Sequence, residues 1–418
     1  MPKKLKILIS AYACSPNRGS EPGMGWNFVI GLSKFHEVHV ITETLKWKKE
    51  IEEHLAIFPE YKNNLNFYFI EKKRNKKLRK IWPPSYYWFY KKWQKNAYHL
   101  ALELDKKVNF DIVHQLNMVG YREPGYLWKI DKPFVWGPIG GLENSPWSFL
   151  PSLGIKGLLF YTGRNIYNII QRNFSKRAKQ SAKRTKASLI SATPGNNKLI
   201  NDLWNNNSEI ICEVGQEKQD IEIIATKRIS TTEPLKIIWS GQHTPGKNLQ
   251  LLLDALENVT VPYELHILGK GEMTNKWKKI AQNKGLSKYC NWYGWIERQK
   301  AIDIMSAGHV FCITSISDLT STVTLEALSY GLPIVCLDHC GFAHVVNKTC
   351  GLKIPVTTPK KAIIGFKKAI ETLYFDESLR QKLAEGALIR AQDFSWEGKI
   401  EKLNSIYTKL LSEDPTHT

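Results

Sequence analysis

Short apolar runs rich in β-branched residues recur along the first half of the chain at residues 6–10, 38–42, 65–70, 111–114, 134–136 and 188–191, with longer amphipathic stretches such as 26–34 between them. The second half repeats the rhythm: runs at 236–240, 264–268, 310–314 and 334–337 alternate with helical periods at 249–256, 276–284 and 322–329. Runs this short, bounded by turn residues, read as strands, and strands alternating with helices predict parallel sheets covered on their faces. The expected class is therefore α/β, with two doubly wound domains. Near the end, Ile400, Leu403, Ile406, Tyr407, Leu410 and Leu411 fall at helical spacing, which predicts an amphipathic helix over residues 396–411 docked on a domain.

Length supports the division, because a chain of 418 residues exceeds what one hydrophobic core of roughly 250–300 residues supports. The expected boundaries are a first domain over 1–215, a polar linker over 216–233, a second domain over 234–393 and the final helical segment over 394–418. No solenoid-length repeat is visible. Seven scattered cysteines without a C-x-x-C pair read as reduced thiols in a cytoplasmic protein. The apolar stretches fall far short of the roughly 20 residues that cross a bilayer, and the run at residues 7–9 is too short for a signal peptide.

Candidate chemistry concentrates in the second half. Asp318 is followed by the hydroxyl-rich Thr320, Ser321, Thr322 and Thr324 around Val323, then by Glu326, directly after a strand-like run. A helix that starts there offers backbone N–H groups to a phosphate, and Glu326, one turn in, can accept hydrogen bonds from ribose hydroxyls. The plain alternative is a Ser/Thr-capped helix with a solvent-facing Glu. Gly241, Gln242, Gly246 and Lys247 form a second strand-loop-helix connection suited to phosphate, although Asn248 stands where a P-loop needs Ser or Thr; its alternative is a turn with a solvated Lys. In the first half, Gly23 and Gly25 open a helix, with Glu43 further on, but they lie too far past their strand for a dinucleotide fingerprint. His114 ends a strand, where it either faces a ligand or is a satisfied polar residue. Cys336, His339 and Cys340, with His344 beyond, lack the second ligand pair of a zinc site, and no Asp-x-Asp or G-x-S-x-G is present.

Taken together these segments resemble the GT-B fold retaining glycosyltransferases of family 4, glycosyltransferase group 1. The resemblance rests on 6–10 with Gly23 and Gly25, residues 237–241 with Lys247, Gly269 and Gly271, Gly294 after Trp292, Asp318 to Glu326, Gly331 with Pro333, Gly341, Gly351, and residues 394–396 ahead of the last helix. It implies two Rossmann-like domains facing a cleft, with the C-terminal helix crossing back to the first. It further implies that Lys247 neutralises the donor diphosphate, that N–H groups around Ser321–Thr324 hold its phosphates, and that Glu326 binds the ribose. Asp318 takes the first place of the family's acidic pair, and Gly23 and Gly25 let the first domain approach the diphosphate. The catalytic set so implied is Asp318, Lys247 and Glu326, with His114 and Gly137 on the acceptor side. The pattern departs at Asp318, one methylene shorter than the usual Glu; at Gln242, in place of Arg; and in residues 135–141, which carry no His.

The formal charge of +20 calls for anionic partners. Basic residues from Lys72 to Lys92 surround Trp82, Tyr86, Tyr87, Trp88, Phe89, Tyr90 and Trp93, with a second basic stretch at 176–186. That mixture suits an anionic lipid surface; the alternative is a solvated helix over core aromatics, interrupted at Pro83 and Pro84. Nucleic acid is not expected, because no nucleic-acid-binding signature accompanies the charge. The expected function is transfer of a sugar from a nucleoside-diphosphate sugar to a glycan, lipid-linked acceptor in bacterial cell-surface polysaccharide synthesis, by a cytoplasmic protein peripheral on the inner membrane face, without metal or other cofactor. The alternatives are a catalytically silent GT-B protein that binds glycan or nucleotide, and a soluble GT-B synthase or phosphorylase.

Overall fold

A computed structural model describes residues 4–82, 85–186, 188–217 and 233–412. Most of the expected linker, residues 218–232, and the Pro83-Pro84 pair lie outside the described residues. The chain divides into two compact units: Met1–Glu143, Ile170–Gly215 and Trp396–Thr418 form the first, Asn144–Ile169 and Gln216–Ser395 the second.

The first unit is built on β1 (Lys6–Ala11), β2 (Glu37–Glu43), β3 (Leu65–Ile70), β4 (Ile112–Asn117), β5 (Phe134–Ile139), β6 (Leu189–Ser191) and β7 (Glu209–Ile210). They make one seven-stranded sheet in the order β3-β2-β1-β4-β5-β6-β7, and each neighbouring pair is parallel. β4 and β5 are buried along their whole length, as expected of strands covered by helices on both faces. The second unit comprises β8 (Leu235–Ser240), β9 (Tyr263–Leu268), β10 (Cys290–Gly294), β11 (Val310–Ile313), β12 (Ile334–Leu337) and β13 (Gly351–Ile354). Its six strands are ordered β10-β9-β8-β11-β12-β13 and are likewise parallel throughout. The α/β class and the two doubly wound domains are present.

Three features differ from the pattern read along the chain. Asn144–Ile169 sorts with the second unit, whereas the expected first domain ran unbroken to residue 215. The reason is packing: Phe149, Leu150, Leu153 and Tyr161 are buried in the same core as Leu251, Leu252 and Trp277, and each such burial contributes about 1.5–3 kcal/mol. The helix expected from residue 26 begins at Ser20 and runs to Ser33, so Gly23 and Gly25 lie inside it. Edge strands β7, β10 and β13 escaped notice because they carry no continuous apolar run and keep partly buried or exposed positions.

The last helix, Trp396–Ser412, belongs to the first unit and buries Ile400, Leu403, Ile406, Tyr407 and Leu410. Gly31 in the Ser20–Ser33 helix makes room for it, since a Cβ there would run into the Ile400 side chain. His36 Nε2 lies 3.1 Å from Asn404 Oδ1 on the same helix. The chain therefore does cross back to the first domain at its end.

Candidate functional site

In the second unit β8 and β11 are sheet neighbours although they are not consecutive. Chain connections leave them toward opposite sides, and such a switch point opens a crevice beyond the carboxyl ends of the strands, where ligands bind open α/β sheets. The two loops that leave those ends carry the residues singled out above.

The loop after β8 is held from several sides. Gly269 has a positive φ of +106°, and a Cβ there would collide with the carbonyl oxygen of Gly241. His243 donates its backbone N–H to the Lys270 carbonyl at 3.2 Å and accepts from Met273 at 3.0 Å. Its imidazole is buried among the rings of Trp239, Trp277 and Trp292, with Nδ1 2.8 Å from Thr274 Oγ1. Burial pulls its pKa down to about 4, so the ring is neutral at ordinary pH. At the far end of the loop, the Lys247 carbonyl accepts from Thr314 Oγ1 at 2.8 Å, and that hydroxyl accepts from Trp239 Nε1 at 3.1 Å. The Gly246 carbonyl accepts from Ile316 N at 2.9 Å, and a Cβ on Gly246 would strike the Tyr161 hydroxyl. The backbone of Lys247 is thereby fixed against the segment that follows β11.

On this platform Lys247 Nζ donates to Asp318 Oδ2. The two side chains keep 20% and 22% of their surface exposed, so the pair is reachable from solvent. An ammonium has three donors; it can hold Asp318 and still offer hydrogen bonds to a phosphate oxygen. The other Asp318 oxygen accepts from Leu319 N at 3.1 Å, and Asp318 N donates to Cys340 Sγ at 3.4 Å. Cys340 thus supports the Asp318 loop, a role its spacing to Cys336 and His339 does not suggest. All seven cysteines are buried thiols outside any disulfide.

The helix Thr322–Ser329 starts just beyond. Ser321 occupies its cap position in extended backbone without a side-chain capping bond, which leaves the first N–H groups without that partner. Thr324 is fully buried, and its hydroxyl has no hydrogen-bond partner among the described residues. Thr322 and Val323 are half-buried, Gln242 is exposed, and a Cβ on Gly241 would meet only ordinary contacts, the nearest with the Trp239 ring at 3.5 Å. Glu326 lies one turn into the helix, with Oε1 3.4 Å from the Arg298 guanidinium. Burial raises its pKa and Arg298 opposes the rise. Arg298 is a member of this cluster that the chain's local pattern did not disclose: it opens a separate helix, Arg298–Ser306, and only the fold brings it to Glu326. Arg164 is another, pairing with Ser317 Oγ from the helix Gly154–Phe174. The site therefore gathers a cation, a carboxylate, an uncapped helix start and an orphan hydroxyl, the groups needed to hold a phosphate beside a polar ligand.

The first-unit candidates stand differently. A Cβ on Gly23 would collide with the Arg18 carbonyl, and one on Gly25 with the Ala13 carbonyl. Asn117 bridges the same place: its Oδ1 accepts from Ala13 N at 3.2 Å and its Nδ2 donates to Ala13 O at 2.7 Å. Both glycines are thus accounted for by chain-on-chain packing. His114 corrects the expectation of an acceptor-side group: it is fully buried, Nε2 donates to the Gly137 carbonyl at 2.7 Å, and Nδ1 accepts from the Tyr407 hydroxyl at 2.7 Å. Burial lowers its pKa to about 4, so this neutral tautomer has no nitrogen left for a ligand. Gly137 likewise serves packing, because a Cβ there would meet the Ile190 carbonyl, and its φ of +135° disfavours other residues.

Comparison with known proteins places the chain. Residues 220–389 match the family described as glycosyl transferases group 1, and Lys247, Asp318 and Glu326 all lie within that span. The chain is 25% identical over 230 residues to the lipopolysaccharide core biosynthesis glycosyltransferase LpsE of Rhizobium meliloti, covering 54% of this chain and 64% of that protein. It is 26% identical over 187 residues to the N-acetylgalactosamine-N,N'-diacetylbacillosaminyl-diphospho-undecaprenol 4-alpha-N-acetylgalactosaminyltransferase of Campylobacter jejuni, covering 44% of this chain and 50% of that one. The matches thus span between half and just under two thirds of these relatives' own lengths. Among solved structures, Anabaena HepE in complex with UDP superposes with a TM-score of 0.61 over 97% of this chain and 100% of its own, at 13% identity. The chain therefore has the fold of the GT-B glycosyltransferases, and its residues 220–389 match the glycosyl transferases group 1 family.

Proposed function

We propose that the chain is a retaining glycosyltransferase that moves a sugar from a nucleoside-diphosphate-sugar donor to a lipid-linked glycan acceptor during bacterial cell-surface polysaccharide synthesis. The observation that carries this reading is the Lys247–Asp318 pair at the β8/β11 switch point, next to the uncapped helix start at Ser321. Sugar transfer from a nucleoside diphosphate needs a stabilised leaving group. Lys247 and the N–H groups around Ser321–Thr324 supply fixed positive potential for it without a metal. Glu326 takes the ribose hydroxyls, and Asp318 lies beside the transferred sugar. The acceptor hydroxyl loses its proton to the departing diphosphate, which makes a separate general base unnecessary.

The names of the two relatives, one acting in lipopolysaccharide core synthesis and one on a diphospho-undecaprenol acceptor, support a lipid-linked acceptor, and the UDP complex of HepE supports a nucleotide donor. Work at the inner face of the membrane has support in the first unit. There the aromatic cluster splits: Tyr90 and Trp93 are core, while Ile81, Trp82, Tyr87 and Trp88 are exposed beside Lys76, Lys77, Lys80 and Lys92. No helix among the described residues is long and apolar enough to cross a membrane. Each basic residue near an anionic surface contributes about 1 kcal/mol.

Thermal-shift screening across nucleotide sugars tests the donor site, because a ligand that binds only the folded chain adds about 2.7 kcal/mol of stability at a hundredfold excess over Kd. One nucleotide series is expected to raise Tm, and the raised member to be turned over with release of nucleoside diphosphate. No shift with any nucleotide sugar, and no turnover, would sink the reading.

A further inference from the structure

The first unit holds a second cationic site that the donor chemistry does not use. Tyr12 follows β1, Glu43 ends β2, Lys46 lies in the first turn of the next helix, Thr44–Ile57, and Lys72 and Arg74 follow β3. These are the carboxyl ends of three adjacent parallel strands. Tyr12, Lys46, Lys72 and Arg74, together with Arg79 and Tyr86, line a cavity of about 140 Å³, several times the room one water needs.

Lys72 is the unusual member. It is 2% exposed, and its ammonium has no hydrogen-bond partner among the described residues. Its nearest neighbours are aromatic faces, with the Tyr86 ring centre at 3.4 Å, Tyr12 at 5.2 Å and Tyr90 at 5.6 Å. Burial pulls its pKa down to about 7, and the charges of Arg74, Lys46 and Arg79 push the same way against Glu43. Glu43 cannot satisfy the cluster, because Oε1 is held by Arg74 at 2.8 Å and Oε2 accepts from Lys46 N at 2.9 Å. Lys46, Lys72 and Arg79 have no ion-pair partner among the described residues. Buried ammonium groups are costly unless paired and hydrogen-bonded, and gathering like charges around one adds to the cost. An anion entering the cavity would supply the missing acceptor and remove the repulsion in one step.

We propose that this cavity binds a phosphoryl or diphosphoryl group carried by the acceptor, held by Lys72, Lys46 and Arg79 with the tyrosine rings as its wall. A small multivalent oxyanion fits better than a carboxylate, since three cations approach from beyond the ends of two neighbouring strands, β2 and β3. The assignment to the acceptor rests on the glycosyltransferase reading; the recognition of phosphate does not.

The test uses the full chain in a Lys247→Ala background, so that the donor site does not report, and titrates inorganic pyrophosphate by calorimetry at constant ionic strength. Adding Lys72→Met is expected to weaken binding at least about tenfold, and adding Arg79→Gln a few-fold; Arg79 is exposed, so that variant keeps the test decisive even if Lys72→Met unfolds. Equal binding with and without these substitutions, or no pyrophosphate binding at all, overturns the proposal. Farnesyl diphosphate binding more tightly than pyrophosphate assigns the site to a lipid-borne diphosphate, and equal affinity to a free phosphate group. Adsorption to phosphatidylglycerol vesicles that Lys72→Met leaves unchanged, without pyrophosphate binding, also overturns it. If the wild-type chain binds no nucleotide sugar while the Lys72 dependence persists, the donor reading fails and the anion site stands.

Discussion

The two units share one winding yet treat their switch points in opposite ways. In the first, the place where β1 and β4 part is filled by the chain itself: Asn117 ties both backbone groups of Ala13, Gly25 lets the helix backbone press against Ala13, and Glu21 Oε1 accepts from Val119 N at 2.7 Å. In the second, the equivalent place between β8 and β11 is left to Lys247, Asp318 and the uncapped start of the Thr322–Ser329 helix. The same topology thus yields a closed, self-satisfied junction once and a polar, reachable one once. A switch point is an opportunity for binding, and side chains decide whether it is taken.

Three experiments probe that contrast. The largest effect is expected from Lys247→Ala, which removes the cation facing the leaving group; kcat/KM for the identified donor should fall by about 10²–10³, the range seen when one electrostatic contact to a developing charge is lost. Near wild-type turnover would mean that the open junction is not the donor site. Next come paired glycine substitutions. Gly25→Ala drives a Cβ into the Ala13 carbonyl and should cost about 1–3 kcal/mol, whereas Gly241→Ala, with its nearest contact at 3.5 Å, should cost under about 1 kcal/mol and act on donor KM instead. Denaturant midpoints for both, together with KM, decide whether closed and open junctions respond as different kinds of site.

The smallest effect concerns pH. His114 and His243 titrate near 4 in the folded chain because burial disfavours the charged ring. Between about pH 6.5 and 4 the unfolded chain binds protons that the folded chain refuses, so each ring removes stability as pH falls, at most about 1.4 kcal/mol per unit. Raised carboxyls such as Glu21 and Glu326 pull the other way, so the comparison is with variants and not with the total slope. His114→Gln, and separately His243→Gln, should each show a shallower loss of unfolding free energy than wild type over that range; unchanged slopes would contradict the buried, neutral assignment.

How much could be read along the chain follows from where the information lies. Lys247, Asp318 and Glu326 were legible because each sits in a loop or first helical turn after a buried apolar strand, a local pattern with a direct geometric consequence. Arg298 and Arg164 were not, because their partners Glu326 and Ser317 reach them only through the fold. His114 was misread for the opposite reason: a strand-end histidine suggests exposure, and only tertiary packing shows Tyr407 and Gly137 consuming both nitrogens. The charge between Lys72 and Lys92 was visible, but not that one of those lysines is sealed among tyrosines. The assignment of Asn144–Ile169 to the second unit was equally hidden, since an apolar helix face does not say which core it joins.

The route of the chain has a consequence for how the protein is made. The first unit takes its last helix from residues 396–412, after the whole second unit has been threaded. On a ribosome working at about 5–20 residues per second, domains ordinarily fold in the order they emerge. Here the earliest-made unit stays unfinished until the last: the Ser20–Ser33 helix lacks its cover over Gly31, and His114 lacks Tyr407. The second unit, apart from its early Asn144–Ile169 segment, is synthesised without interruption and can mature first. Completion of the amino-terminal half thus doubles as a check that everything between has been translated.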